Sequence, residues 1–119
     1  MTNGTISTAT GAQAAAFALA FTNSRSPLPF ETHTDADLLE VIQARVPSAP
    51  VAECREALAR VRHLCDAVYK VCEAFRKGAF GTGPESAPAA LAALAQSVPG
   101  FSDQEYREAF AAGLLWTAF

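Results

Sequence analysis

The sequence has little charge, few β-branched residues and no long apolar run. Charged residues make up 18% of the 119 residues, against about 25% in an average soluble domain. Valine and isoleucine together number nine, and no segment sustains apolar–polar alternation, so a sheet is not expected. No run of about 18 apolar residues occurs, so we expect no membrane partner. The net charge of -3 lacks the basic excess of nucleic-acid binders, and no nucleic-acid partner is expected either.

Cysteine is scarce and lacks the spacing of a disulfide scaffold. The three cysteines, Cys54, Cys65 and Cys72, are odd in number and form no Cys-x-x-Cys pair. Because their spacings are helical repeats, we interpret them as reduced, buried thiols. The first basic residue, Arg25, follows the amino-terminal apolar run, which is the wrong order for a secretory signal. With the alanine bias, these features predict a cytoplasmic protein of a bacterium.

Alanine dominates the composition, with 26 residues, and it is the strongest helix former. A chain of this length is expected to form one domain. We therefore predict an all-α fold over residues 1–119, with residues 1–8 loose and about five helices in a bundle. The helices are expected over about 10–22, 35–45, 50–77, 86–98 and from 103 nearly to the end, with an extended connection over 23–30.

The longest predicted helix, about 50–77, carries an unbroken apolar stripe. Its apolar residues recur in steps of three and four from Val51 to Phe75, as in a helix packed into a bundle. At about 1.5 Å per residue this helix is roughly 40 Å long, longer than the roughly 35 Å diameter of a domain of this size. We predict that it is the central helix of the bundle and that Gly78 ends it. The side chains expected to be buried are Leu58, Val61, Cys65, Val68 and Cys72.

Two other helices carry explicit start signals. Thr34, followed by acidic residues, is an N-cap candidate for the second helix. Ser102 and Glu105 form a capping box at the last helix, where Phe101 and Tyr106 occupy the two positions of a hydrophobic staple.

Few residues offer metal chemistry. Glu31, His33 and Asp35 alternate along one segment, so in an extended conformation they can face the same side and reach one metal ion. Acidic residues also gather at a helix start because the helix dipole stabilises them, and no second histidine motif completes a site. We therefore predict no metal centre. If a metal ion does bind, these three residues are the candidate ligands.

No catalytic or cofactor motif is present. His63 and Cys65 point about 200° apart on a helix, which excludes a Cys–His catalytic pair. The glycine-rich run at 78–86 lacks the lysine and the preceding strand of a phosphate-binding loop. Basic residues of the long helix, such as Arg55 and Arg62, alternate with acidic ones and indicate a solvated face. We predict no catalytic residue, no cofactor and a protein that is not an enzyme.

Both ends of the chain carry more apolar side chains than one bundle face can bury. We therefore predict a protein that acts by association, as a homodimer or with one protein partner, with tryptophan as the anchor. Small accessory subunits, immunity-type proteins and regulators fit this description. The expected interface residues are Trp116, Leu115, Phe119, Phe17 and Phe21.

An alternative places the functional site inside the bundle. Helical bundles build ligand sites from side chains on facing helices. In that case Tyr69, His63 or the acidic segment 31–37 would supply the polar anchors of a small-molecule-binding or catalytic site.

Overall fold

The described part of the chain is built from α-helices. A computed structural model describes residues 8–21 and 33–118, and within these ranges it contains no strand. No helix in these ranges combines the length and the apolar character needed to span a membrane. The all-α prediction is confirmed, and the five helices found there are α1 (Thr8–Phe21), α2 (Asp35–Arg45), α3 (Val51–Arg76), α4 (Ser86–Ser97) and α5 (Asp103–Trp116).

Two of the predicted segments fall on undescribed parts of the chain. The extended connection expected over 23–30 lies outside the described residues. So does the segment 1–8 that was predicted to be loose, except for Thr8, which begins α1.

The described residues divide into two compact units, and α3 contributes to both. The first unit contains α1, α2 and α3 as far as Arg62, and the second contains α3 from His63 together with α4 and α5. Of the five helices in the described ranges, the helix with the apolar stripe is therefore the one that both units share, as predicted for a central helix.

The apolar stripe of α3 is buried along most of its length. Val51, in the first turn, is 43% exposed, so the buried stripe begins one turn later than the pattern predicts. The three side chains that widen the stripe, Ala57, Leu64 and Val71, are buried as well. Burial of the five predicted positions is confirmed, and the buried members of the stripe are Cys54, Leu58, Val61, Cys65, Val68 and Cys72.

Side-chain caps start α2 and α5 at the predicted residues. The Thr34 hydroxyl accepts a hydrogen bond from the backbone N–H of Asp37 (3.2 Å). The Ser102 hydroxyl accepts one from the backbone N–H of Glu105 (3.1 Å). In both cases the acidic side chain accepts in return from the backbone N–H of the capping residue. Each pair satisfies two backbone donors that a helix start leaves without partners, and both predicted caps are confirmed.

Gly78 ends α3, as predicted. Its φ of 83° lies in the left-handed region, which glycine enters without a steric penalty. The backbone N–H of Ala79 donates to the carbonyl of Ala74 (3.0 Å), and the backbone N–H of Gly78 donates to the carbonyl of Phe75 (3.1 Å). This is the Schellman pattern, which satisfies the last carbonyls of a helix.

In the second unit α5 packs closely against α3 at Gly113. A Cβ atom at this position would lie 2.3 Å from Val68 Cγ1 and 2.6 Å from Cys72 Sγ, so the contact requires glycine. One turn earlier on α5, the carbonyl oxygen of Phe110 accepts a hydrogen bond from the Cys72 thiol (3.6 Å). The small side chains of the stripe therefore set how near α5 can approach.

The side chain of Arg76 caps the end of α5. Its Nε donates to the hydroxyl of Thr117 (2.9 Å), and its guanidinium also donates to the carbonyl of Leu114. The Thr117 hydroxyl in turn donates to the carbonyl of Gly113 (2.8 Å). A cation at a helix carboxyl end is favoured by the helix dipole, so the last turn of α3 stabilises the last turn of α5.

The packing at Gly113 predicts that the Gly113→Ala variant is destabilised. Alanine improves helix propensity by about 1 kcal/mol, but overpacking a buried contact costs about 1–3 kcal/mol, so we expect a net loss and a Tm lower by several degrees. Thermal unfolding followed by circular dichroism measures the change.

Gly83→Ala is the matched control, because an added Cβ at Gly83 meets no atom within 4 Å and its φ is not positive. Its Tm should stay unchanged or rise slightly. Equal melting of the Gly113→Ala variant and the wild type would contradict the close contact.

Candidate functional site

A groove in the second unit lies between α4 and α5. It has a volume of about 280 Å³, and we call it the α4–α5 groove. Its α4 side carries no charge, and its lining residues are Pro88, Leu91, Ala92 and Ala95 from α4 and Asp103, Tyr106 and Arg107 from α5. The α4 residues follow the i, i+3, i+4, i+7 spacing of one helix face.

Tyr106 forms the buried part of this groove and holds the α4–α5 connection in place. Its hydroxyl donates to the carbonyl of Val98 (2.6 Å) and accepts from the backbone N–H of Phe101 (3.2 Å). The rings of Phe101 and Tyr106 meet edge to face, with centroids 5.9 Å apart, which confirms the predicted hydrophobic staple.

Beside the groove, one row of α5 is exposed along its whole length. Asp103, Arg107, Ala111 and Leu115 follow each other at intervals of four residues, and all four are exposed. We call this row the α5 ridge. Although Asp103 and Arg107 have the spacing of a helical ion pair, neither forms an ion pair with any residue in the described ranges. The ridge therefore presents one acid and one base to the solvent.

A second groove lies in the first unit, between α2 and α3. It has a volume of about 470 Å³, and we call it the α2–α3 groove. An ion pair between Asp35 and Arg62 crosses it from α2 to α3. Its lining residues are Asp35, Ala36 and Leu39 from α2 and Arg55, Leu58, Ala59 and Arg62 from α3.

The candidate metal ligands do not assemble into a site within the described ranges. His33 and Asp35 are both exposed, and Asp35 pairs with the guanidinium of Arg62. Glu31 lies outside the described residues. No group of three or more histidine, cysteine, aspartate or glutamate side chains gathers among residues 8–21 and 33–118.

The two candidate ligand-binding residues of α3 lie apart from both grooves. His63 is exposed, and Tyr69 is half-buried with its ring 5.4 Å from the ring of Trp116. Neither residue lines the α2–α3 groove or the α4–α5 groove.

The predicted interface residues differ in how much surface they present. Trp116 is 6% exposed, whereas its neighbour Leu115 is 52% exposed. Phe17 is buried and Phe21 half-buried, with ring centroids 4.5 Å apart. Phe119 lies outside the described residues. Of the described members of this set, Leu115 offers the largest exposed fraction to a partner.

Sequence reasoning assigned Arg55 and Arg62 to a solvated face and Asp35 to a candidate metal site, and it did not pair Asp103 with Arg107. Arg55 and Arg62 are seven residues apart and share one face of α3, and Asp103 and Arg107 are four residues apart on α5. These spacings are visible in the sequence. What the sequence does not show is that a neighbouring helix lies beside each pair and completes a groove.

The chain matches no protein-family model, no curated protein and no solved structure. The function of the two grooves and the α5 ridge is therefore inferred from the residues that line them and from their charge and exposure.

The thiols of α3 are poor nucleophiles in this fold. All three cysteines are free and buried. Burial raises the pKa of the Cys54 thiol, and the nearby Glu53 carboxylate acts in the same direction. Burial raises the pKa of the Cys72 thiol from 9.0 to about 11, against a smaller opposing effect of Arg76. Because the thiolate is the reactive form, the raised pKa makes Cys54 and Cys72 poor nucleophiles.

The raised pKa predicts slow alkylation of Cys72 in the native protein. At pH 8 a thiol with a pKa of about 11 is almost entirely protonated, so native Cys72 should react with iodoacetamide much more slowly than it does in guanidinium. Peptide mass spectrometry resolves each cysteine, and full labelling in denaturant is the control. Rapid labelling of Cys72 without denaturant would contradict its burial.

Proposed function

We propose that this chain works by protein–protein association, without catalysis, and that it forms a homodimer through the α4–α5 groove and the α5 ridge. The observation that carries the proposal is the α5 ridge, which exposes in one row a large apolar side chain together with an acid and a base that form no ion pair with any described residue. Together we call the groove and the ridge the α4–α5 face.

Removing the α4 side of this face from water costs little desolvation free energy. The twelve residues of α4 include no charged side chain. Burying an unpaired charge is costly, whereas burying alanine and leucine side chains is favourable. Leu91 is half-buried and Ala92 exposed, so part of this apolar surface stays in contact with solvent in a single chain.

The charges of the ridge complement themselves under two-fold symmetry. In a two-fold dimer the same patch meets itself, so a contact between residues i and j occurs twice. Antiparallel ridges would pair Asp103 with Arg107 of the partner subunit, and Arg107 with Asp103 of the partner subunit. Such complementary charges fix the register of an interface and disfavour other arrangements.

Leu115 is the apolar contribution of the ridge. In the antiparallel register Leu115 lies eight residues, about 12 Å, beyond the charge pair and past the start of the partner's α5. The dimer therefore gains only part of the about 1.5–3 kcal/mol that a fully buried leucine side chain contributes. Trp116 holds the last turn of α5 in place, because its ring packs against the ring of Tyr69. Leu115 lies on the same turn, so this contact positions Leu115 for the interface.

The homodimer predicts a charge-reversal experiment on the ridge. Light scattering at micromolar concentration should give about twice the 12.5 kDa chain mass for the wild type. Asp103→Lys and Arg107→Glu should each shift the mass towards the monomer, because each places like charges opposite one another. The double variant should recover the dimer, because the two-fold contact is then complementary again.

Two controls make this result specific. Lys77→Glu changes the same charge at the end of α3, outside the face, and should leave the dimer intact. Replacing Asp103 also removes a first-turn acid from α5, which lowers the stability of the helix. The double variant lacks the same acid, so a recovered dimer mass in that variant cannot result from restored helix stability. A wild-type mass near 12.5 kDa, or single variants that dimerise normally, would overturn the proposal.

A further inference from the structure

The α2–α3 groove has the shape that receives a helix. Its α3 side consists of Arg55, Leu58, Ala59 and Arg62, the i, i+3, i+4, i+7 positions over two turns. Leu58 is 4% exposed and half-buried Leu39 faces the groove from α2, so the floor is apolar. Rows of this spacing form the grooves into which the side chains of another helix pack.

The two cations of the groove stand two turns apart, about 10.5 Å along the axis of α3. Arg55 is exposed and forms no ion pair with any residue in the described ranges. Arg62 pairs with Asp35, which neutralises one of the two positive charges. The groove therefore keeps a net positive charge within a chain whose net charge is -3.

We infer that the α2–α3 groove binds an acidic amphipathic helix of a partner protein. Two carboxylates seven residues apart on such a helix match the spacing of Arg55 and Arg62, and apolar side chains between them cover Leu39 and Leu58. The Arg62 guanidinium donates to Asp35, and a carboxylate of the partner helix would share its positive charge with Asp35. The inference goes beyond self-association, since this groove belongs to the first unit and the α4–α5 face to the second.

A second copy of this chain is a poor occupant. Among the described residues, one pair of exposed acids has the required spacing of seven, Asp66 and Glu73. Lys70 lies between them on the same helix face, where the groove requires an apolar side chain. A separate protein partner fits better.

A designed peptide tests the inference directly. The probe is a fluorescein-labelled helical peptide with two glutamates seven residues apart and leucines between them on the same face. Its matched control carries glutamine in place of each glutamate. Fluorescence anisotropy should show binding of the acidic peptide, weakened by added salt, and clearly weaker binding of the control.

Variants of the groove should move the affinity in opposite directions. Arg55→Gln should weaken binding about two- to fivefold, and Asp35→Asn should strengthen it by a similar factor, because it removes the competing carboxylate. Lys77→Gln removes the same charge outside the groove and should have no effect. Ala59→Glu should abolish binding, whereas Ala89→Glu, at an exposed position of α4 in the second unit, should not.

Four outcomes would overturn the inference. The first three are no binding of the acidic peptide, equal affinity for the glutamine peptide, and affinity unchanged by Arg55→Gln and Ala59→Glu. Peptide affinity that falls as the chain concentration rises would assign the groove to a second copy and would also overturn it. The α4–α5 face does not enter this test, so its result is independent of the homodimer.

Discussion

Both compact units depend on one constraint, the narrow row of small apolar side chains buried along α3. The row consists mainly of cysteine and valine, with leucine at Leu58 and no aromatic ring among its buried members. Interiors are close-packed, so the size of these side chains decides how near a neighbouring helix can lie. At Gly113 the consequence is visible, since α5 approaches Val68 and Cys72 too closely for a Cβ atom. The thiols are buried for the same reason, as small apolar groups.

The surfaces available for function follow from this arrangement. Because α3 turns its apolar stripe inwards, its other faces carry charge, and a neighbouring helix beside such a face makes a groove. In the first unit, α2 lies beside the face of α3 that carries Arg55 and Arg62, and the two helices form the α2–α3 groove. α4 and α5 make the second groove, where an uncharged helix lies beside the acid and base of the α5 ridge. Both surfaces combine an apolar floor with few charges, which supports the proposal that they bind other proteins.

The sequence predicts those features that depend on local interactions. The caps at Thr34 and Ser102, the terminator Gly78 and the burial of the α3 stripe each depend on neighbours within about one turn or on one helical period, and all are confirmed. The outer face of α5 is harder to predict, because apolar residues cover more than one side of this helix. Its orientation depends on the fit of Gly113 against Val68, a contact between residues 45 positions apart. The α2–α3 groove likewise needs Asp35 and Arg62, 27 positions apart, to lie side by side.

The central prediction is that the chain unfolds as a single domain, because the stripe of α3 contributes buried residues to both units. Trp116 is the only tryptophan and lies in the second unit beside Tyr69, so its fluorescence reports on that unit, whereas far-ultraviolet circular dichroism reports on all the helices. Guanidinium unfolding should give the same midpoint and the same slope by both probes, as expected for a two-state transition. If the fluorescence transition separates from the loss of helix, the two units unfold independently and the shared helix does not unite them.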